Sequence, residues 1–140
     1  MADRRGIGSM DVIGIVAKGN LAAVQLFPMR DGKMVDRHQF TLENTVGQDT
    51  TTLLEAFCLE YYCTAHSIPP LVVVPPEVGD ISDLTEFLGE LRGARVEVRA
   101  ARRGEKRRLQ DFAHRNAELA VEKEALRTER RQAWRVEALE

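Results

Sequence analysis

Two sets of side chains in this 140-residue sequence could do chemistry. The first is a scatter of carboxylates, Asp11, Glu55, Glu60, Glu77 and Glu105. The second is a basic run, Arg102-Arg103-Gly104-Glu105-Lys106-Arg107-Arg108. Carboxylates brought together from separate elements can hold metal ions that activate water and stabilise a leaving oxygen. Basic side chains at the start of a helix can hold phosphate, because free N–H groups and the helix dipole favour anions there and guanidinium groups add charge-assisted bonds. The other reactive types are sparse. Cys58 and Cys63 lie five apart with no histidine pair beside them, a poor zinc pattern. They read as two small apolar side chains on or near the buried face of a helix. His38, His66 and His114 have no nucleophile at a recognisable spacing, and His38 reads as solvated on an edge strand. Gly6-Ile7-Gly8 precedes the first strand, so it is not a phosphate-cradling loop.

The elements that must position these groups follow from periodicity. Residues 11–17, DVIGIVA, read as a buried strand. Gly19-Asn20 suits a tight turn, and residues 21–29 read as a second strand with Pro28 at an edge or a bulge. Asp31-Gly32 is a strong hairpin signal before a third strand over 33–43, polar on both faces and therefore exposed. Asp49 to Thr52 offer caps for a helix with Leu54, Phe57, Cys58 and Tyr61 as its apolar stripe, ending near His66 before Pro69-Pro70. Leu71 to Val74 read as a central strand buried on both faces. Asp80 or Ser82 caps a second helix with a stripe of Leu84, Phe87, Leu88 and Leu91, stopped at Gly93. A short strand over 95–99 follows. From about Glu105 the pattern is helical, with Leu109, Phe112, Asn116, Leu119 and Ala120 as its apolar side. Beyond Lys123 charge dominates, and Trp134 there suggests either a contact with something outside this chain or a local i, i+4 pack on the same helix.

The order is β-β-β-α-β-α-β-α. Three antiparallel strands followed by two reached through crossover helices predict an α/β domain with a mixed five-stranded sheet, helices on its faces and a long C-terminal helix. The ribonuclease H-like fold has this order. The expected division is a linker or foreign remnant over 1–9, the domain over 10–123, and a charged helical extension over 124–140 leading to the next domain.

Composition bounds the class. The chain is 44% apolar and 30% charged, which suits a globular domain and no membrane span. The net charge of −2 hides an asymmetry. Residues 1–100 carry 9 basic and 14 acidic side chains, whereas residues 101–140 carry 11 and 8. The basic excess sits at Arg102 to Arg108 and hints at a polyanionic partner. Two scattered cysteines fit a reducing cytoplasm.

Several stretches are more specific than the fold order. MDVIGIVAKGNLAAVQLFPMRDGKMVDRHQFTLEN, LLEAFCLEYY, IPPLVVVPPE and RRGEKRRLQDFAHRNAELA together resemble the middle section of the UvrC family, the incision subunits of bacterial nucleotide excision repair. The RGEKRRL block, Asn116 and the hairpin ending in FTLEN carry most of the resemblance. It covers roughly residues 10–140. It implies a domain lying between an N-terminal GIY-YIG nuclease with a UvrB-contacting segment and a C-terminal active nuclease with helix-hairpin-helix motifs; neither motif set occurs in this chain. It also implies damaged DNA, the other domains of the same protein, and UvrB and UvrA as partners through the longer protein.

A ribonuclease H-type nuclease carries an aspartate in the middle of its first strand and further acids on the next helix, the fourth strand and the last helix. Here that strand interior is Val12-Ile13-Gly14-Ile15-Val16, and the fourth strand has no acid. A catalytic reading would have to gather Asp11, Glu55 or Glu60, Glu77 and Glu105. The expectation is that these are ordinary solvated acids, with no catalytic residue, no metal and no cofactor. Function then moves to Arg102, Arg103, Lys106, Arg107 and Arg108 as contacts to DNA backbone or as a docking surface for another domain of the same protein, unless these pair with Glu97, Asp111 or Glu118 or are simply solvated. The competing expectations are a working metal-dependent nuclease and a protein-interaction spacer.

Overall fold

The computed structural model describes the backbone of residues 8–139 and side chains as far as residue 132. The side chain of Trp134 lies outside the described residues. The first hairpin is β1 (Met10–Lys18) and β2 (Leu21–Arg30), paired in register from Met10 opposite Met29 to Lys18 opposite Leu21. The Asp31-Gly32 turn follows, both residues with positive φ (53° and 77°), the geometry that two-residue hairpins need.

The expected third strand is split into β3 (Lys33–Met34) and β4 (His38–Glu43), so the sheet has six strands rather than five. Pro28 gives the reason. Its carbonyl accepts from the Val35 amide at 2.9 Å, so it faces the β3/β4 side of β2. In an antiparallel ladder a residue's N and O point the same way, so Pro28 leaves a missing donor on that side. The ladder lapses over residues 35–37 and resumes at His38 opposite Leu26. Pro28 is thus inside the sheet and not at its edge; two residues of β2, Phe27 and Pro28, face three on the partner strand, which is the bulge that was the other expectation.

Helix α1 (Thr50–Thr64) starts under Asp49, whose carboxylate accepts from the Thr52 amide at 2.8 Å. Strand β5 (Leu71–Val74) then pairs parallel with β1. Helix α2 (Ser82–Arg92) ends at Gly93, left-handed at φ 74°, with its amide on the Gly89 carbonyl. Its N-cap is Ile81, without a side-chain bond; the Asp80 carboxylate instead accepts from the amide and hydroxyl of Ser82, the first helical residue. Strand β6 (Glu97–Ala100) pairs parallel with β5, and α3 (Gly104–Leu139) closes the chain. The sheet order is β3 and β4 together on one edge, then β2, β1, β5 and β6. Among the described residues no helix is long and apolar enough to cross a membrane.

The sheet is covered on both faces. Ile13, Ile15, Val24, Leu26 and Val72 pack under α1 and α2 with Leu54, Phe57, Cys58, Leu84 and Leu88. On the opposite face Met10, Val12, Phe27 and Val73 pack with Ala113 of α3, and Ala23 packs with Ala117 and Val121. The buried side of α3 is therefore Gln110, Ala113, Ala117 and Val121. The stripe expected to be apolar and buried lies beside it: Phe112 is 44% exposed and Leu119 57%. The close approach of α3 to β1 decides between them. A Cβ on Gly14 would stand 2.6 Å from the Ala113 carbonyl carbon, so the helix backbone lies directly on the strand and only small side chains fit at the crossing.

Candidate nucleic-acid interface

Asp11 is the one ionisable side chain within an otherwise apolar stretch of β1, and it is not solvated as expected: it is 2% exposed. It points to the α1 side of the sheet. The Tyr62 hydroxyl donates to its Oδ2 at 2.6 Å, and the Arg30 guanidinium, from the end of β2, donates to Oδ1 at 3.1 Å and to the Met10 and Met29 carbonyls. Burial raises the Asp11 pKa above the ordinary aspartate value, while the Tyr62 bond and the Arg30 charge pull it down; burial is the larger effect. The same burial, with the Asp11 charge next to it, pushes the Tyr62 phenol well above 10. Asp11 is thus held by two donors of its own chain.

The other acids do not join it. Glu60 and Glu77 are exposed, Glu55 is half-buried on α1, and Glu105 faces Arg108 on its own helix at 3.0 Å. Among the described residues, no three His, Cys, Asp or Glu side chains stand where they could share a metal ion. His38 is half-buried rather than solvated, between Phe40 and Tyr61, with Nε2 3.4 Å from Asp36. Cys58 is buried, whereas Cys63 is exposed; both are free thiols. Burial raises the Cys58 thiol far above its usual range, which leaves it inert.

The basic run divides by its partners. Ala100 ends β6, Ala101 is buried, and Gly104, at φ 77°, turns the chain into α3. Arg107 Nε binds Asp111 at 3.0 Å, and Arg108 binds Glu105. Arg99, on β6 before the turn, is held by Glu97 at 3.2 Å. Among the described residues, no carboxylate lies within ion-pair distance of Arg102, Arg103 or Lys106. These three line an open depression of about 520 Å³ with Arg99, Ala100 and Ala101. Of the five basic residues expected as one patch, the fold therefore presents three together and turns two toward acids.

Sequence reasoning missed Arg30 and Tyr62 as the partners of Asp11. A single acid in an apolar strand was the available signal, since a buried carboxylate requires donors. It also missed the polar groove between α3 and β4, lined by Arg37, Gln39, Asn116 and Lys123, because each of these reads separately as a surface residue.

Comparison with known proteins places the chain among relatives. The family model described as the UvrC ribonuclease H-like domain matches residues 9–124. The UvrABC system protein C of Thermus thermophilus is 38% identical over 125 residues, covering 89% of this chain and 21% of that protein. The protein of the same description from Deinococcus radiodurans is 40% identical over 125 residues, covering 87% and 20%. That of Clostridioides difficile is 31% identical over 132 residues, covering 94% and 22%. The chain thus spans about a fifth of the length of these relatives.

Proposed function

The chain belongs to the UvrC ribonuclease H-like domain family, and from that premise we propose that it serves as a non-catalytic, DNA-contacting domain of a longer, cytoplasmic excision-repair incision subunit. In this reading it touches DNA backbone at the β6–α3 junction and positions flanking nuclease domains. UvrB and UvrA are met through the longer protein.

The observation that carries the reading is the set Arg102, Arg103 and Lys106, three cations on one junction with no acid of the described chain to neutralise them. Such a set neutralises phosphates without reading bases, which suits contact with DNA of any sequence. The non-catalytic part is supported by Asp11, the one acid of β1, whose oxygens are already taken by Arg30 and Tyr62. The test is DNA binding measured over a range of salt. The triple variant R102A/R103A/K106A is expected to flatten the slope of log K against log salt by about 3, one for each phosphate that the variant leaves unneutralised. An unchanged slope sinks the reading. Docking against another domain has one observation of its own, the exposed Phe112, Leu119 and Leu126 on α3.

A further inference from the structure

Helix α3 lies over β1 and β2 and stops short of β4, so the α3 side of β4 is open. The resulting groove has a volume of about 410 Å³, with Gln25, Arg37, Gln39, Asn116, Leu119 and Lys123 on its walls. Its floor is polar. Gln25, 3% exposed, donates through Nε2 to Gln39 Oε1 at 2.8 Å. The Asn116 amide nitrogen is buried and has no acceptor among the described residues. Arg37 and Lys123 are exposed on the walls, and no carboxylate of the described residues pairs with either. Asp36, the acid next to Arg37, is occupied by His38 and by the Arg37 backbone amide. The groove therefore offers two positive charges and an unspent buried donor, and no lining residue is acidic.

We infer that this groove is a second anion site, and that its ligand is a backbone phosphate of nucleic acid. A buried N–H without an acceptor is unfavourable, and an oxyanion brought to Asn116 would supply the acceptor it lacks. Guanidinium and ammonium groups at the mouth make the charge-assisted bonds that phosphate oxygens accept. The polar floor offers no socket for apolar side chains of a bound peptide, while exposed Leu119 gives a sugar edge something to rest against. The inference rests on the reading that this domain touches DNA. It uses residues separate from Arg102, Arg103 and Lys106.

The test uses the 140-residue chain, isotopically labelled, with a short mixed-sequence duplex, inorganic phosphate and a glutamate-rich peptide as separate probes. The Asn116 side-chain amide resonances are expected to move with the duplex, and to do so in the R102A/R103A/K106A variant too at higher duplex concentration. The R37A/K123A variant, which changes only exposed side chains, is expected to lower the salt slope of duplex binding by about 2. Movement with inorganic phosphate as well as duplex supports the site. Movement with phosphate alone, or with the peptide and not the duplex, overturns it. An unchanged slope in R37A/K123A beside a flattened one in R102A/R103A/K106A overturns this groove and leaves the junction standing. The opposite pattern does the reverse.

Discussion

Asp11 shows how a buried carboxylate can serve structure. Two donors hold it, yet burial outweighs both and its pKa is raised. The sign of its pH dependence follows. A carboxyl whose folded pKa exceeds its unfolded one contributes stability below the unfolded value, near 3.8, and loses it as pH rises through the folded value. Relative to Asp11→Asn, the parent chain is therefore expected to lose stability with rising pH just above 4, as read by urea unfolding at several pH values. A parent that instead gains stability over that window would show that the Arg30 pair outweighs burial. Tyr62→Phe is expected to cost about 1–3 kcal/mol in the same assay, because it leaves Asp11 Oδ2 without its 2.6 Å donor.

At the scale of elements, the crossing of α3 over β1 governs the architecture. Gly14 and Ala113 let the two backbones touch, and Gln110 ties them further by donating to the Ile13 carbonyl at 2.9 Å. Gly14→Ala is expected to destabilise by about 3 kcal/mol, the upper part of the overpacking range, because the atoms it meets are helix backbone and cannot rotate away. Calorimetry or urea unfolding checks it, and a loss under about 1 kcal/mol would mean that α3 lifts easily. The break between β3 and β4 belongs at this scale as well. It places Arg37 in the unpaired stretch beside the groove.

At the scale of the molecule, the last buried side chain described on α3 is Val121. From Glu124 onward the described ion pairs are local, Glu124 with Arg127 and Arg131. A chain ending at residue 126 is therefore expected to melt within a few degrees of the parent, the shift that a change below about 1 kcal/mol produces in a domain of this size. A larger drop would assign the distal helix to the fold. Incubation with Mg²⁺ or Mn²⁺ and branched or nicked DNA is expected to leave the DNA uncut. Cleavage that Asp11→Asn or Glu77→Gln abolishes would restore the nuclease reading.

Local and periodic features were legible from the sequence. Element order apart from the split third strand, the Asp31-Gly32 turn, the Asp49 cap, the Gly93 stop and the doubly buried Leu71–Val74 strand each depend on neighbours a few residues away. The resemblance carried by RGEKRRL and FTLEN was legible for the same reason, since it is a property of order along the chain. Tertiary structure alone decided what depends on long-range contact. Periodicity marks a helix face as apolar, but the backbone distance at Gly14 selected the small-residue face of α3 for the core and left Phe112 and Leu119 outside. Asp11 meets Tyr62 across 51 residues, so its burial and its donors were invisible locally. The basic run read as one patch. The helix turned Arg107 and Arg108 toward Asp111 and Glu105 at i+4 and i−3, while Arg102 and Arg103 before the helix and Lys106 in its first turn stay unpaired among the described residues.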